Sequence, residues 1–470
     1  MKKISVIMIA LCAIIVVSCQ SDTDKADKFR LNNEFGKAAE LYKKSAAEGD
    51  AYAMWRLSRA YDNGDGVEYD EKKALDYLKR AAEGGCEEAE CDLAMAYMFN
   101  WFDIGEDKEK GKAMMDALVE RTDNSFVLTK YAGFLFDGAD PYEGDKDKAL
   151  EIIDNIKDKN NPDFLELMGL VYQNGTSNIS PDVAKAVDYF KKAFKYGKRY
   201  CASRLFHAYL QGCGGLKADT TEALNWLQKG IDANQTGCMV EMSVLCLSKD
   251  SAFQQYHNAS RGIELLRTAA KHGSSEAYFR LGVEYYLGEN VEKDDRKAFE
   301  YSKKSAEMRN ARGSYSLGWD YINGTGCEKD VEKGIDTWKK AVEYGSASAA
   351  NNLYVYYNGG DASSSLPVGP IDDELAKEYL LKAAKMGDYM ACWNLGREYY
   401  WGNDLFEKNN SLAFFYIKKA ADAGMIDACG WLAYFYYEGI GCDRNPDKAR
   451  EYENMTKAKE ELEKEKQIDK

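Results

Sequence analysis

The sequence predicts an all-α protein built as an α-solenoid of about eleven antiparallel helix pairs. Three observations lead to this prediction. The chain has 470 residues, which is more than one globular core usually accommodates. It contains only 6 prolines and 45% hydrophobic residues, a composition typical of packed helices. A short pattern of small, aliphatic, aromatic and glycine residues recurs roughly every 36 to 38 residues.

The N-terminus precedes the repeats and predicts export. Residues 1–18 form a signal peptide, because two lysines precede an apolar run too short for a permanent membrane span. The run ends in Val-Val-Ser-Cys19, which resembles the lipobox of bacterial lipoproteins and implies acylation of Cys19. The alternative is that Cys19 is incidental in an ordinary signal or a short anchor. Because Gln20 follows the cysteine, we expect an outer-membrane lipoprotein, periplasmic or surface-exposed, with residues 19–28 as a flexible acidic tether.

Each repeat begins with a helix that carries a narrow packing stripe. Ala277, Leu281, Tyr285 and Gly288 show the pattern, and residues at these spacings share one helix face. Glycine ends the first helix because it accepts positive backbone dihedrals, and an aspartate such as Asp294 starts the second. One such pair cannot bury its apolar face alone, but stacked pairs can. The copies start at Ala53, Ala89, Val127, Phe164, Cys201, Cys238, Ala277, Gly313, Ala349, Ala391 and Ala428.

The repeated unit resembles the Sel-one-like repeat, a branch of the tetratricopeptide superfamily. Its consensus elements stand here as Ala391, Leu395, Gly396, Tyr399 and Gly402, and the resemblance covers residues 29–455. It implies a right-handed superhelix whose first helices line the concave surface. The units that start at Val127 and Cys238 depart from the pattern, so we expect local distortion there. Residues 456–470 are charged on every face and are predicted to form a terminal helix that closes the stack.

The sequence gives little sign of catalysis. It has three histidines and no motif for a metalloprotease, a phosphate loop or a serine nucleophile, so we expect no enzyme activity, cofactor or metal site. The net charge of -15 disfavours nucleic acid as a partner. The resemblance also leaves an alternative, an envelope hydrolase or a penicillin- or peptidoglycan-binding protein like the cysteine-rich members of the family. Those members pair a cysteine late in the second helix with the next unit, where this chain has alanines, Ala82, Ala270, Ala384 and Ala421.

The side of the first helices opposite the packing stripe is the predicted binding surface. In the C-terminal half this side is rich in large aromatic residues, which mark interaction sites when they are exposed. The resemblance places them in a concave groove for an envelope protein or peptide, with peptidoglycan or another glycan as an alternative ligand. A second alternative is that the rings are simply buried between repeats. The predicted groove residues are Phe279, Tyr286, Tyr315, Trp319, Trp393, Tyr400, Tyr434 and Tyr437.

Overall fold

The computed structural model describes residues 21–138, 140–176, 178–212, 216–249, 251–360 and 366–468. The predicted signal peptide and the predicted lipidation site Cys19 lie outside these residues. The chain divides into two compact units, one up to Ser274 (unit 1) and one from Ser275 (unit 2). Across the described ranges the secondary structure is helical, apart from one isolated antiparallel bridge between Asn358 and Ile371. The all-α prediction is therefore confirmed.

The helices form consecutive pairs, seven in the described part of unit 1 and five in that of unit 2. The helices of unit 1 are α1 (Asp22–Leu31), α2 (Phe35–Ala47), α3 (Ala51–Asn63), α4 (Glu71–Glu83), α5 (Glu87–Phe99), α6 (Lys108–Val119), α7 (Ser125–Asp137), α8 (Lys146–Asn155), α9 (Pro162–Asn174), α10 (Val183–Lys195), α11 (Cys201–Gln211), α12 (Thr220–Asp232), α13 (Thr236–Leu247) and α14 (Ala259–Lys271). Unit 2 contains α15 (Ser275–Leu287), α16 (Asp295–Glu307), α17 (Ala311–Asn323), α18 (Val331–Glu343), α19 (Ala347–Tyr357), α20 (Asp373–Lys385), α21 (Tyr389–Trp401), α22 (Asn410–Asp422), α23 (Ile426–Glu438) and α24 (Pro446–Ile468). Odd-numbered helices are the first members of their pairs. Short 3-10 helices occur at Trp101–Asp103 and Ser251–Tyr256.

The helix ends follow the predicted local chemistry. The Asp294 side chain accepts a hydrogen bond from the backbone N–H of Lys297 at 3.0 Å, which caps α16. Asp70 and Asp330 cap α4 and α18 in the same way. Several first helices end on a left-handed glycine, as α17 does at Gly324 with a φ of 75°. The starts and ends of the helix pairs are thus encoded within each repeat.

The predicted stripe is the core of the stack. Ala277, Leu281 and Tyr285 are buried, and the first anchor of every copy is buried too, whereas equivalent tyrosines such as Tyr61 and Tyr399 are only half-buried. In α18 the largest buried side chain is Trp338, whose indole N–H donates to the carbonyl of Tyr315 at 3.1 Å. A Cβ on Gly318 would lie only 2.2 Å from Cδ1 of Trp338, so glycine permits this close approach between α17 and α18.

Unit 1 closes on itself through contacts between repeats far apart in sequence. The turn after α3 carries Asp65, whose carboxylate pairs with both terminal nitrogens of Arg199, one of them at 2.9 Å. Arg199 also donates to the carbonyl of Ala233 at the end of α12, at 3.0 Å. In the same turn the carbonyl of Gly64 lies 2.8 Å from Nδ1 of His272, which follows α14. We call this set of contacts the clasp.

The structure differs from the flexible tether predicted for residues 19–28. Helix α1 begins at Asp22, after a capping box formed by Ser21 and Asp24. Thr23 and Ala26 are buried, and Thr23 donates to the carboxylate of Asp50 at 2.6 Å. This segment is helical because its acidic residues stabilise the N-terminus of α1 and its small residues pack toward α2. Helix α1 is therefore the first-helix partner of α2.

The C-terminal charged segment belongs to a longer helix than predicted. The charged residues from position 456 continue α24, which begins at Pro446 as the second helix of the last pair.

No helix among the described residues combines the length and the apolar character that crossing a membrane requires. None of the nine cysteines in the described ranges forms a disulfide. Seven of them are buried, and burial raises the pKa of Cys86 to about 12, as expected for inert core thiols.

Candidate binding surfaces

The predicted groove residues lie on the first helices of unit 2 and are not part of a closed core. Trp319 and Trp393 are half-buried, and neither is fully covered. Tyr286, Tyr434 and Tyr437 are each about half exposed, at 50%, 49% and 51%. Half-buried aromatic side chains contribute to packing between repeats and keep one side of the ring accessible to solvent. The assignment of these residues to a binding groove remains a prediction.

The densest group of rings lies on α21 and α23. We define the aromatic cluster as Trp393, Tyr400, Trp401, Trp431 and Tyr434. The ring of Trp431 lies 5.3 Å from those of both Trp393 and Tyr400, in near-perpendicular contacts. Trp401 packs against Tyr400 at 4.8 Å and is 66% exposed. A side-chain hydrogen bond with Tyr400 raises the pKa of Tyr434. The cluster is thus ordered by its own contacts and accessible at Trp401 and Tyr434.

A second group of rings lies on α17. Tyr315 and Trp319 are perpendicular at 6.4 Å, and Trp319 rests on the buried Trp338 at 5.1 Å. Polar contacts continue toward later repeats, because Asn352 of α19 donates to the Tyr315 hydroxyl at 3.4 Å. On the same helix α19, burial and the charge of Glu398 raise the pKa of Tyr354 to about 12. Successive first helices of unit 2 are therefore linked side by side through these residues.

The remaining predicted residues stand apart from these groups. Arg312 covers the ring of Phe279, with its guanidinium 4.5 Å from the ring centre. Tyr286 lies beside Lys293. Tyr437 is the equivalent residue in the last repeat, and its carbonyl accepts a hydrogen bond from Nε of Arg444 at 2.8 Å. These three rings are each held by a basic side chain.

Two members of the aromatic cluster were missed in the sequence. Trp401 and Trp431 stand ten and three residues after the first anchors of their repeats, Ala391 and Ala428. The predicted residues lie on a narrow face of the helix opposite the packing stripe, and these two lie within about 100° of the centre of that face. The exposed side of the helix is broader than the pattern used. Beside the cluster Gly430 faces open space, since a Cβ there would meet no atom within 4 Å.

The sequence did not indicate a charged cavity in unit 1. Its volume is about 420 Å³, and its lining includes five basic residues, Arg30, Arg56, Arg59, Lys198 and Arg199. Three carboxylates, Asp65, Glu88 and Asp163, also line it, together with several aromatic rings. The clasp supplies one wall through Asp65 and Arg199. Because those residues are 134 positions apart, no local pattern could have revealed the cavity.

Most charges around this cavity are paired. Asp163 lies 2.7 Å from Nζ of Lys130 and also pairs with Lys198. Burial alone would raise the pKa of Asp163, but these two ammonium groups hold it well below its usual range. Asp92 is buried and accepts hydrogen bonds from the indole of Trp55 at 2.7 Å and from Arg59 at 3.0 Å. The charged side chains around the cavity are therefore held in place by ion pairs and hydrogen bonds.

Metal chemistry has no support in the described part of the chain. Within those ranges no group of three or more His, Cys, Asp or Glu side chains is placed to hold a metal ion. Of the three histidines, His207 bonds to Glu241, and His257 and His272 bond to backbone carbonyls.

Among curated proteins, this chain is similar to three relatives. It is 38% identical over 103 residues to the chitin synthase regulator SKT5 of Saccharomyces cerevisiae, covering 22% of this chain and 14% of that protein. It is 25% identical over 274 residues to an uncharacterized protein of Neisseria meningitidis, covering 55% and 51%. It is 24% identical to HRD3B of Arabidopsis thaliana, an ERAD-associated E3 ubiquitin-protein ligase component, covering 43% and 34%. The chain thus spans about half the length of these relatives or less.

Solved structures similar to this chain include two bacterial proteins. The c5321 protective antigen of uropathogenic Escherichia coli is 24% identical with a TM-score of 0.40, covering 90% of both chains. A Sel1 repeat protein of Oxalobacter formigenes is 20% identical with a TM-score of 0.45, covering 77% of this chain and 90% of that one.

The family assignment rests on repeated matches along the sequence. The sequence model of the Sel1 repeat matches ten segments that together exceed half of the chain. They are residues 33–50, 51–86, 162–195, 200–235, 245–274, 275–310, 311–346, 347–388, 390–425 and 426–452. Residues 87–161, which include the divergent unit at Val127, are not matched. This chain belongs to the Sel1 repeat family.

Proposed function

We propose that this protein is a non-enzymatic scaffold that binds a segment of another envelope protein along the first helices of unit 2. Its Sel1 repeat architecture, typical of protein-interaction scaffolds, supports this function. The observation that carries the proposal is the aromatic cluster, in which Trp401 is 66% exposed although its neighbours are ordered. Large aromatic side chains contribute disproportionately to protein interfaces, so an exposed, ordered group of them is suited to a partner.

The surroundings of the cluster favour a peptide-like partner. Arg397 lies over Trp393, with its guanidinium 5.7 Å from the ring centre, and Glu398 is adjacent in sequence. Charged groups at the rim of apolar rings can pair with the backbone and side chains of an extended segment. The open space beside Gly430 gives room for one apolar side chain of that partner. We propose binding by burial of the partner's apolar residues against the rings.

A pull-down from envelope extract tests the groove. We expect the wild-type protein to retain a specific protein and the variant Trp401→Ala to lose most of it. The matched control is Trp101→Ala, which removes an exposed tryptophan from unit 1. Equal capture by the wild type and Trp401→Ala would refute this surface. Covalent labelling of the wild type by a labelled β-lactam would instead support the penicillin-binding alternative.

We also propose that the scaffold is anchored to the outer membrane through Cys19. The Val-Val-Ser-Cys19 sequence supports acylation and retention at the outer membrane. Metabolic labelling with a palmitate analogue should mark the wild type and not Cys19→Ser. Once its signal peptide has been removed, the variant should also leave the membrane fraction. If Cys19→Ser is labelled as strongly as the wild type, Cys19 is not the lipidation site.

A further inference from the structure

Three arginines at one end of the unit 1 cavity outnumber the carboxylates that form ion pairs with them. Arg30, Arg56 and Arg59 all line the cavity. Asp27 serves two of them, since its Oδ1 lies 3.5 Å from Nε of Arg30 and 3.1 Å from Nε of Arg56. Asp92 serves Arg59. Three guanidinium groups therefore form direct ion pairs with only two carboxylates, while Asp163, which also lines the cavity, adds negative charge near Arg59 without pairing with it.

The arginines keep donors that the described part of the chain does not use. Arg59 donates to Asp92 through Nη1 alone, and its side chain is 46% exposed. The terminal nitrogens of Arg30 lie beside Gly197, where a Cβ would be 3.2 Å from Nη1, and they make no hydrogen bond to the described residues. Burial and the charge of Arg56 lower the pKa of Arg30. A second anion near these groups would relieve that repulsion.

Aromatic rings hold the guanidinium planes in place. Arg56 stacks on Trp55 at 4.5 Å and on Tyr52 at 4.9 Å, and Arg59 lies 5.6 Å from the Trp55 ring centre. Trp55 is itself fixed by its hydrogen bond to Asp92. A stacked guanidinium presents its planar fork in a fixed direction, which suits bidentate recognition of a carboxylate or phosphate. The donors are therefore oriented before any ligand arrives.

We propose that the unit 1 cavity binds a small organic ligand through an oxyanion, a carboxylate or a phosphate, held by Arg30, Arg56 and Arg59. The volume of about 420 Å³ lies within the usual range for small-molecule sites. The ring of Tyr52, which is partly exposed, gives the ligand body an apolar surface. The purely structural alternative, in which all charges only close unit 1, applies to Arg199 and Lys198, whose donors are paired. This site is separate from the proposed groove of unit 2.

Calorimetric titration of the full chain tests the site with four probes: inorganic phosphate, citrate, N-acetyl-alanyl-alanine and the amide of that dipeptide. We expect at least one oxyanion probe to bind with a dissociation constant below about 1 mM and the amide not to bind. Preference for phosphate or for the two carboxylates identifies which oxyanion the site takes. Arg59→Gln should weaken binding at least about tenfold, because a charge-assisted hydrogen bond is lost.

Two further variants separate the planar hydrogen-bonding geometry of the Arg59 guanidinium from its positive charge and from the stability of the protein. Arg59→Lys keeps the charge and loses the planar fork, so it should also bind more weakly than the wild type. Arg261→Gln removes an exposed arginine of unit 1 outside the cavity, and we expect it to bind as the wild type does. Circular dichroism confirms that each variant is folded. The proposal is overturned if none of the oxyanions binds the wild type, or if both Arg59 variants bind them unchanged.

Discussion

Asp320 is a buried acid that makes the stability of unit 2 depend on pH. It lies on α17 with only 7% of its surface exposed, and its Oδ2 atom accepts no hydrogen bond from the described residues. Burial raises its pKa from 3.8 to about 7, a hydrogen bond from Ser302 opposes the rise, and the charge of Asp295 adds to it. We predict that Asp320→Asn stabilises the protein at neutral and alkaline pH.

The sign and the size follow from proton linkage. In the folded protein Asp320 keeps its proton up to about pH 7, whereas the unfolded chain loses it near pH 4. The free energy of unfolding therefore falls as the pH rises from about 4 to about 7, and stays at the lower value above that. A shift of about three pKa units corresponds to about 4 kcal/mol. Asparagine has no proton to lose, so we expect a gain approaching this value at pH 8 and none near pH 4.

Urea denaturation at several pH values between 4 and 8 measures the effect. Circular dichroism and tryptophan fluorescence should both be followed, because a repeat protein can unfold in more than one step. The matched control is Asp336→Asn on α18, whose side chain is 71% exposed, and its stability should follow that of the wild type. The reasoning is refuted if Asp320→Asn and the wild type change equally with pH, or if the variant is less stable at pH 8.

Three further substitutions test the packing. Gly318→Ala should destabilise unit 2 by about 1–3 kcal/mol, because its Cβ would collide with Trp338, and a lower thermal midpoint would show it. Gly430→Ala should raise the midpoint, with a gain of about 0.5–1 kcal/mol from helix propensity, since its Cβ meets open space. Asp65→Ala should cost about 3–5 kcal/mol by leaving Arg199 without its carboxylate. In a double-mutant cycle, additive losses for Asp65→Ala and Arg199→Ala would contradict this pairing.

The sequence was sufficient to predict the features that depend on contacts within one repeat. The stripe of Ala277, Leu281 and Tyr285 predicted the core because helix periodicity fixes which residues face the neighbouring helix. Asp294 predicted the start of α16 because its partner, the N–H of Lys297, is three residues away. Such contacts are short in sequence and recur in every copy, so the pattern of one repeat confirmed that of the next.

Features that join distant repeats could not be predicted from the same pattern. The pairing of Asp65 with Arg199 depends on the accumulated rotation of several helix pairs, which spacing alone does not give. The unused donors of Arg30 and Arg59 become visible only once that pairing encloses a cavity. In unit 2 the prediction identified Trp393 and Tyr400 but missed Trp431 between them, because it sampled too narrow a face of the helix.

The clasp also constrains how this chain can change over evolutionary time. Arrays in which each repeat touches only its neighbours can gain or lose a repeat and keep every remaining contact. In unit 1 the turn at Gly64 and Asp65 must meet Arg199 and His272, and Arg199 must also reach the carbonyl of Ala233. Deleting or duplicating one pair between them would rotate the partners past each other and open the cavity. The number of repeats from α1 to α14 is therefore fixed, because Arg30 of α1 also lies beside Gly197, whereas the described residues of unit 2 make no contact of this kind and that unit is free to vary in length.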